Sequence, residues 1–120
     1  MSFDPYVMAY KCVMATSFRV QVTAMTREKI EEIFHELQRI LPPESIKRSV
    51  SSPFFEIILL NGSRIRGFHK SIRVPELGIG LCGQQADLLW CYDYDEYSQD
   101  DVNSLIAMKV CSPDTELVKR

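Results

Sequence analysis

The pattern of apolar and polar positions changes period several times along the chain, and each change predicts an element. From Pro5 to Ala15, Tyr6, Val7, Met8, Tyr10, Val13 and Met14 interrupt their run only with small or sulfur-bearing residues and Lys11. That composition, opening on a proline, predicts a mostly buried helix or a helix remnant. Phe18, Val20 and Val22 then alternate with Arg19, Gln21 and Thr23, the two-residue period of a half-buried strand. From Arg27 the period lengthens: Ile30, Ile33, Phe34, Leu37 and Leu41 recur at helical spacing, with Glu28, Lys29, Glu31, Glu32, Glu36 and Arg39 on the other face. Thr26 stands where an N-cap belongs, and Pro42-Pro43 stops the helix.

The run Phe54-Phe55-Glu56-Ile57-Ile58-Leu59-Leu60 is too short for a globular helix and ends in Asn61-Gly62. Two residues that both tolerate positive φ predict a tight hairpin. Its return strand is Ser63 to Phe68, with Ile65 on one face and Arg64 and Arg66 on the other. Breakers at Pro75, Gly78, Gly80 and Gly83 predict a loose segment from His69 to Gln85. Asp87 to Tyr92 reads as a compact apolar strand running into Asp93-Tyr94-Asp95-Glu96. Ser98 and Asp101 then form a capping box for a helix from about Asp100 to Lys109, with Val102, Leu105, Ile106 and Met108 facing inward. Thr115 to Val118 is one further strand. Strands alternating with helices, plus an inserted hairpin, predict an α/β fold with a layered sheet.

At 120 residues the chain is expected to hold a single domain, residues 1–120. With 46% hydrophobic and 25% charged residues it can bury a core, and 5 Gly with 6 Pro exclude linker-like or collagen-like sequence. A net charge of −2 excludes a globally basic nucleic-acid binder and leaves only local patches. Cys12, Cys82, Cys91 and Cys111 show no CxxC spacing, which argues against a zinc knuckle or disulfide framework and suits buried thiols in a reducing cytoplasm. No stretch reads as a membrane span or a signal peptide, so no membrane partner is expected.

Three local features could carry chemistry. Gly78-Ile79-Gly80-Leu81-Cys82-Gly83 matches a dinucleotide fingerprint letter for letter, but it precedes a strand instead of joining a strand to a helix, so it reads as a loop. Asp87, Asp93, Asp95, Glu96, Asp100 and Asp101 lie in a stretch without one Lys or Arg. Such crowding needs solvent or a cation to relieve it, and carboxylates beyond the carboxyl end of a strand are well placed for Mg²⁺. Asp93 and Asp95 are therefore candidate metal ligands and Asp93 and Glu96 candidate catalytic residues; a solvated acidic turn is the plain alternative. The middle of the chain has the opposite bias: Lys47, Arg48, Arg64, Arg66, Lys70 and Arg73 face only Glu56. Arg64 and Arg66 are candidate phosphate contacts, against an ordinary solvated hairpin face. His35 and His69 have no nucleophile positioned by the sequence, which argues against a triad.

The order of these motifs resembles the ATPase domain of terminase large subunits, the DNA-packaging motors of tailed viruses and their proviruses. The resemblance covers Phe18 to Lys119. It rests on a strand followed by a Thr-led helix, on the Asn61-Gly62-Ser63-Arg64-Ile65 hairpin with Gly67, on Gly83-Gln84-Gln85-Ala86-Asp87, and on an apolar strand ending in acids. It implies a partial P-loop NTPase core of the additional-strand type, with a mostly parallel sheet, helices and the inserted hairpin. It also implies Mg²⁺ and ATP as cofactors, with double-stranded DNA, other terminase segments or subunits and a portal as partners, in a host cytoplasm.

The chain departs from that pattern in three places. Gly-Lys occurs nowhere, so no phosphate loop can be drawn, and the chain is expected to begin downstream of that motif. Cys82 stands where the family places an arginine. The adjacent Asp-Glu that ends the Walker B strand falls on Tyr92 and Asp93 without a gap, or on Asp93 or Asp95-Glu96 with one. The expectation is a truncated, split or decayed packaging ATPase that does not hydrolyse ATP alone and, lacking its central strand, tends to self-associate. Two other classes compete: a non-catalytic α/β module that binds protein or nucleic acid, and a metal nuclease built from Glu56, Asp93 and Asp95.

Overall fold

The computed structural model describes residues 4–51, 55–70, 86–111 and 113–120. Helix α1 (Asp4–Met14) leads to strand β1 (Arg19–Ala24), helix α2 (Arg27–Ile40), and strands β2 (Ile46–Val50), β3 (Phe55–Leu59), β4 (Arg64–His69) and β5 (Leu88–Cys91). Helix α3 (Gln99–Cys111) and strand β6 (Glu116–Lys119) follow. The six strands form one sheet in the order β2-β3-β4-β1-β5-β6. Strands β4, β1, β5 and β6 pair in parallel, and β3 runs against both β2 and β4. The result is the α/β architecture with an inserted hairpin that the pattern predicts, and the mostly parallel sheet that the resemblance implies.

Each face of the sheet has its own core. On one side Val20, Val22, Ile57, Ile65, Leu88 and Trp90 pack under α1 and α2, which contribute Met8, Cys12, Ile30, Phe34 and Leu37. On the other, Phe68, Leu89 and Cys91 pack with Tyr97 and with Leu105 and Met108 of α3. Helices on both faces explain why β1 is buried along nearly its whole length and not half-buried, as its alternation predicts. Its polar positions are internal too: Thr23 Oγ1 lies 2.8 Å from the Tyr97 hydroxyl in a buried hydrogen bond. At Gly67 even a methyl group would stand 2.5 Å from the Phe34 ring, so the glycine lets α2 lie against β4.

The caps follow the sequence closely. Thr26 Oγ1 accepts from the Lys29 amide at 3.3 Å. The Ser98–Asp101 box closes in both directions at 3.2 Å. Three expectations need correction. Helix α1 buries Met8, Ala9 and Cys12 but exposes Tyr6, Val7, Tyr10, Val13 and Met14, because only one side of it meets the sheet. Ile106 points away from the core and is 56% exposed. The hairpin closes through Leu60, Asn61 and Gly62: the Leu59 amide donates to the Ser63 carbonyl at 2.8 Å, and of the turn residues only Gly62 has positive φ. This is a three-residue loop with glycine in the left-handed position, in place of the two-residue turn predicted. Among the described residues, no helix is long and apolar enough to cross a membrane.

Candidate functional site

Strand β5 is an interior strand between β1 and β6, and all four of its residues are buried. Its carboxyl end therefore has a fixed position. Tyr92 continues inward, and the Tyr92 amide donates to the Thr23 carbonyl at 2.8 Å. Asp93 then turns the chain with φ 57°, a conformation that Asp tolerates better than most residues. A single 3₁₀ turn follows, Tyr94–Glu96, in which the Glu96 amide donates to the Asp93 carbonyl at 2.9 Å. Asp93 is half-buried at the strand end, whereas Asp95 and Glu96 are exposed.

The acids of this region are not left to repel one another. Asp87 accepts from the Arg19 amide at 2.9 Å and pairs with the Arg19 guanidinium at 3.4 Å. The fully buried Asp101 carboxylate pairs with Lys70 Nζ at 2.8 Å and accepts from the Ser98 hydroxyl at 2.9 Å. Both cations come from distant parts of the chain, so the run of acids conceals partners that only the fold supplies. Asp93, Asp95, Asp100 and Glu96 have no such ion pair among the described residues.

The carboxyl end of β5 is ringed by aromatic and cationic groups. Trp90 stacks with Tyr92 at 6.3 Å, and Lys29 Nζ lies 5.8 Å from the centre of the Tyr92 ring. Lys119, the last residue of β6, sits 4.9 Å over Tyr94, and Arg120 after it 5.6 Å over Trp90. A cavity of about 220 Å³ lies beside this end, lined by Tyr92, Tyr6, Lys29, Glu32 and Arg39 among others. Asp93, Asp95 and Glu96 do not line it.

Among the described residues, no cluster of three or more His, Cys, Asp or Glu side chains is close enough to hold a metal ion. The β1–α2 connection is only Met25 and Thr26, too short to wrap a phosphate. The Gly78–Gly83 segment, Arg73 and Cys82 lie outside the described residues. Cys12 and Cys91 are buried free thiols, as expected for small apolar groups.

The candidate phosphate contacts divide. Arg66 is committed inward, its Nε 2.6 Å from Glu56 in a pair that is mostly shielded from water. Arg64, two residues away on the same face of β4, has its Nε buried without a hydrogen-bond partner among the described residues. The carboxylates proposed for a nuclease do not converge: β3, which carries Glu56, lies three strands from β5, about 14 Å at the usual spacing between strands. The sequence places Arg48 in the basic patch without singling it out, and gives Arg19 no role. Their signal was weak, because Arg19 reads as a polar position of a strand and Arg48 lies in a charged stretch without alternation.

No protein-family model matches the chain, and no curated protein matches it. Among solved structures the chain is similar to the "Thermus Phage P74-26 Large Terminase ATPase domain", with a TM-score of 0.52 and 15% sequence identity. The similarity covers 99% of this chain and 55% of that one, so the chain spans about half the length of the structure it matches. The chain thus has a terminase ATPase-like fold.

Proposed function

We propose that the chain is a piece of a viral DNA-packaging terminase ATPase that supplies the carboxylate-ended strand β5 and the basic β3–β4 hairpin. In this reading it does not hydrolyse ATP by itself. The observation that carries the reading is fold similarity over nearly the whole chain, combined with a sequence in which Gly-Lys never occurs. Asp93 is the residue we assign to the Walker B-like position, because it is the first carboxylate after an interior strand and is half-buried there. Asp95 and Glu96 are the alternatives one turn further on. Mg²⁺ is held in such sites by one or two carboxylates together with the phosphates of ATP, so a phosphate loop from outside these 120 residues, on the same polypeptide or another, has to complete the centre. Duplex DNA and other terminase subunits are the partners this role requires.

The test is a phosphate-release assay on the purified chain with Mg²⁺ and ATP, with and without duplex DNA. The expected result is no turnover above background. Turnover that disappears in Asp93→Ala or Glu96→Ala overturns the proposal. The second reading, a non-catalytic α/β module binding protein or nucleic acid, is favoured by one observation: Asp87 and Asp101 are neutralised internally by Arg19 and Lys70, as structural carboxylates are.

A further inference from the structure

Register across the sheet assembles a row of arginines that the sequence scatters. Arg48 of β2 stands opposite Ile58 of β3, Ile58 opposite Arg64 of β4, and Arg64 beside Arg19 of β1. Paired residues share a face, so all three guanidinium groups start from the side of the sheet opposite α1 and α2. Neighbouring strands are about 4.8 Å apart, which puts Arg64 about 5 Å from Arg19 and about 10 Å from Arg48 at the backbone. The row crosses the amino ends of β4 and β1, at the other end of the sheet from Asp93.

Like charges placed side by side on a sheet repel one another, and the chain compensates only part of this row. Arg19 has Asp87 at 3.4 Å. Arg48 is exposed and has no ion pair among the described residues. Arg64 is half-buried, and its buried Nε donor has no acceptor among the described residues. The next row makes the contrast. There, Arg66 stands opposite Glu56, and the two pair at 2.6 Å. The position opposite Arg64, where a carboxylate would do the same, is instead Ile58, itself only partly buried. With no carboxylate opposite it and part of its side chain open to solvent, Arg64 keeps guanidinium donors within reach of an anion bound from outside.

We propose that Arg48, Arg64 and Arg19 form a phosphate-binding row that takes the sugar–phosphate backbone of a nucleic acid across this face of the sheet. Guanidinium forks match phosphate oxygens, and a row of several cations suits a polymer of phosphates better than a single anion. The contact is to the backbone, so it is independent of base sequence and depends on salt. It requires neither ATP nor a second subunit, which separates it from the function proposed above.

The experiment is fluorescence anisotropy of a labelled 30-base-pair duplex and a labelled 30-nucleotide single strand with the full chain, without Mg²⁺ or nucleotide, over a series of salt concentrations. Binding is expected to weaken with salt with a log–log slope of about −2 to −3 for the duplex and about −1.5 to −2 for the single strand, for two or three phosphates contacted. Arg48→Gln with Arg64→Gln is expected to reduce the duplex slope by about 2 and weaken low-salt binding at least ~10-fold. Arg48→Gln alone, an exposed change that leaves the fold intact, is expected to reduce the slope by about 1. The pair Arg27→Gln and Arg39→Gln on α2 removes the same charge elsewhere and is expected to leave the slope unchanged. Absence of binding to both oligonucleotides at low salt overturns the proposal. So does binding insensitive to salt, an equal loss in the α2 pair, or an unchanged slope in Arg48→Gln.

Discussion

The side-chain amide of Asn61 donates to the carbonyl of Cys12 at 2.8 Å, joining the hairpin turn to the last turn of α1. It also reaches the Ala15 carbonyl at 3.0 Å, and Ser63 Oγ donates to Cys12 at 2.8 Å. The carbonyls at a helix end have no partners within the helix, so Asn61 and Ser63 act as its C-cap from 46 or more residues away. Asn61→Ala is expected to destabilise the fold by about 1 to 2 kcal/mol. Asn61→Asp is expected to cost more, because a carboxylate would face carbonyl oxygens. Urea unfolding of both variants checks the order.

Close approach of α2 to β4 makes Gly67 intolerant of any side chain. Gly67→Ala would bring its Cβ to 2.5 Å from Phe34 and 2.9 Å from Ile30. The expected loss is about 1 to 3 kcal/mol, the usual cost of overpacking. Phe34→Leu in the Gly67→Ala background should recover part of it, and a double-mutant cycle measures the coupling.

The buried Thr23–Tyr97 hydrogen bond ties β1 to the segment before α3. Tyr97→Phe leaves the Thr23 hydroxyl short of a partner and is expected to cost about 1 kcal/mol or more. Thr23→Val combined with Tyr97→Phe should cost less than the sum of the single changes, because both partners then go together. Chemical denaturation of the four proteins gives the cycle.

Burial pushes the Cys12 thiol up to about 12 and the Cys91 thiol up to about 11. Both groups therefore stay neutral in the folded chain at pH values where the unfolded chain has begun to ionise them. Their contribution to stability is fully present below about pH 9 and is lost as pH rises through the folded values. Urea midpoints should thus fall between pH 9 and 11, and Cys12→Ala should fall less steeply. At pH 8, peptide mapping after alkylation of the native protein should find both thiols unlabelled.

Much of the fold was legible because the periodic elements carry their own signals. The Arg27–Ile40 helix, its Thr26 cap, the Ser98–Asp101 box and the apolar β5 run all stand where local chemistry puts them. Strand β2 was not legible: Ile46-Lys47-Arg48-Ser49-Val50 is an edge strand with a register shift, so its pattern is that of a solvated loop. The exposed side of α1 was misread because apolar residues surround the whole helix, and periodicity then cannot say which side meets the sheet. At the candidate site the sequence showed the carboxylates and arginines but not their pairing. Arg19–Asp87 spans 68 residues and Lys70–Asp101 spans 31, and only topology brings such groups together.

The central proposal, that these 120 residues need a phosphate loop from outside them to bind nucleotide, meets its most direct test in thermal unfolding with increasing Mg·ATP. A ligand that binds the folded state raises the midpoint with concentration. The account predicts no shift up to millimolar Mg·ATP. A saturable rise that Asp93→Ala abolishes would contradict it.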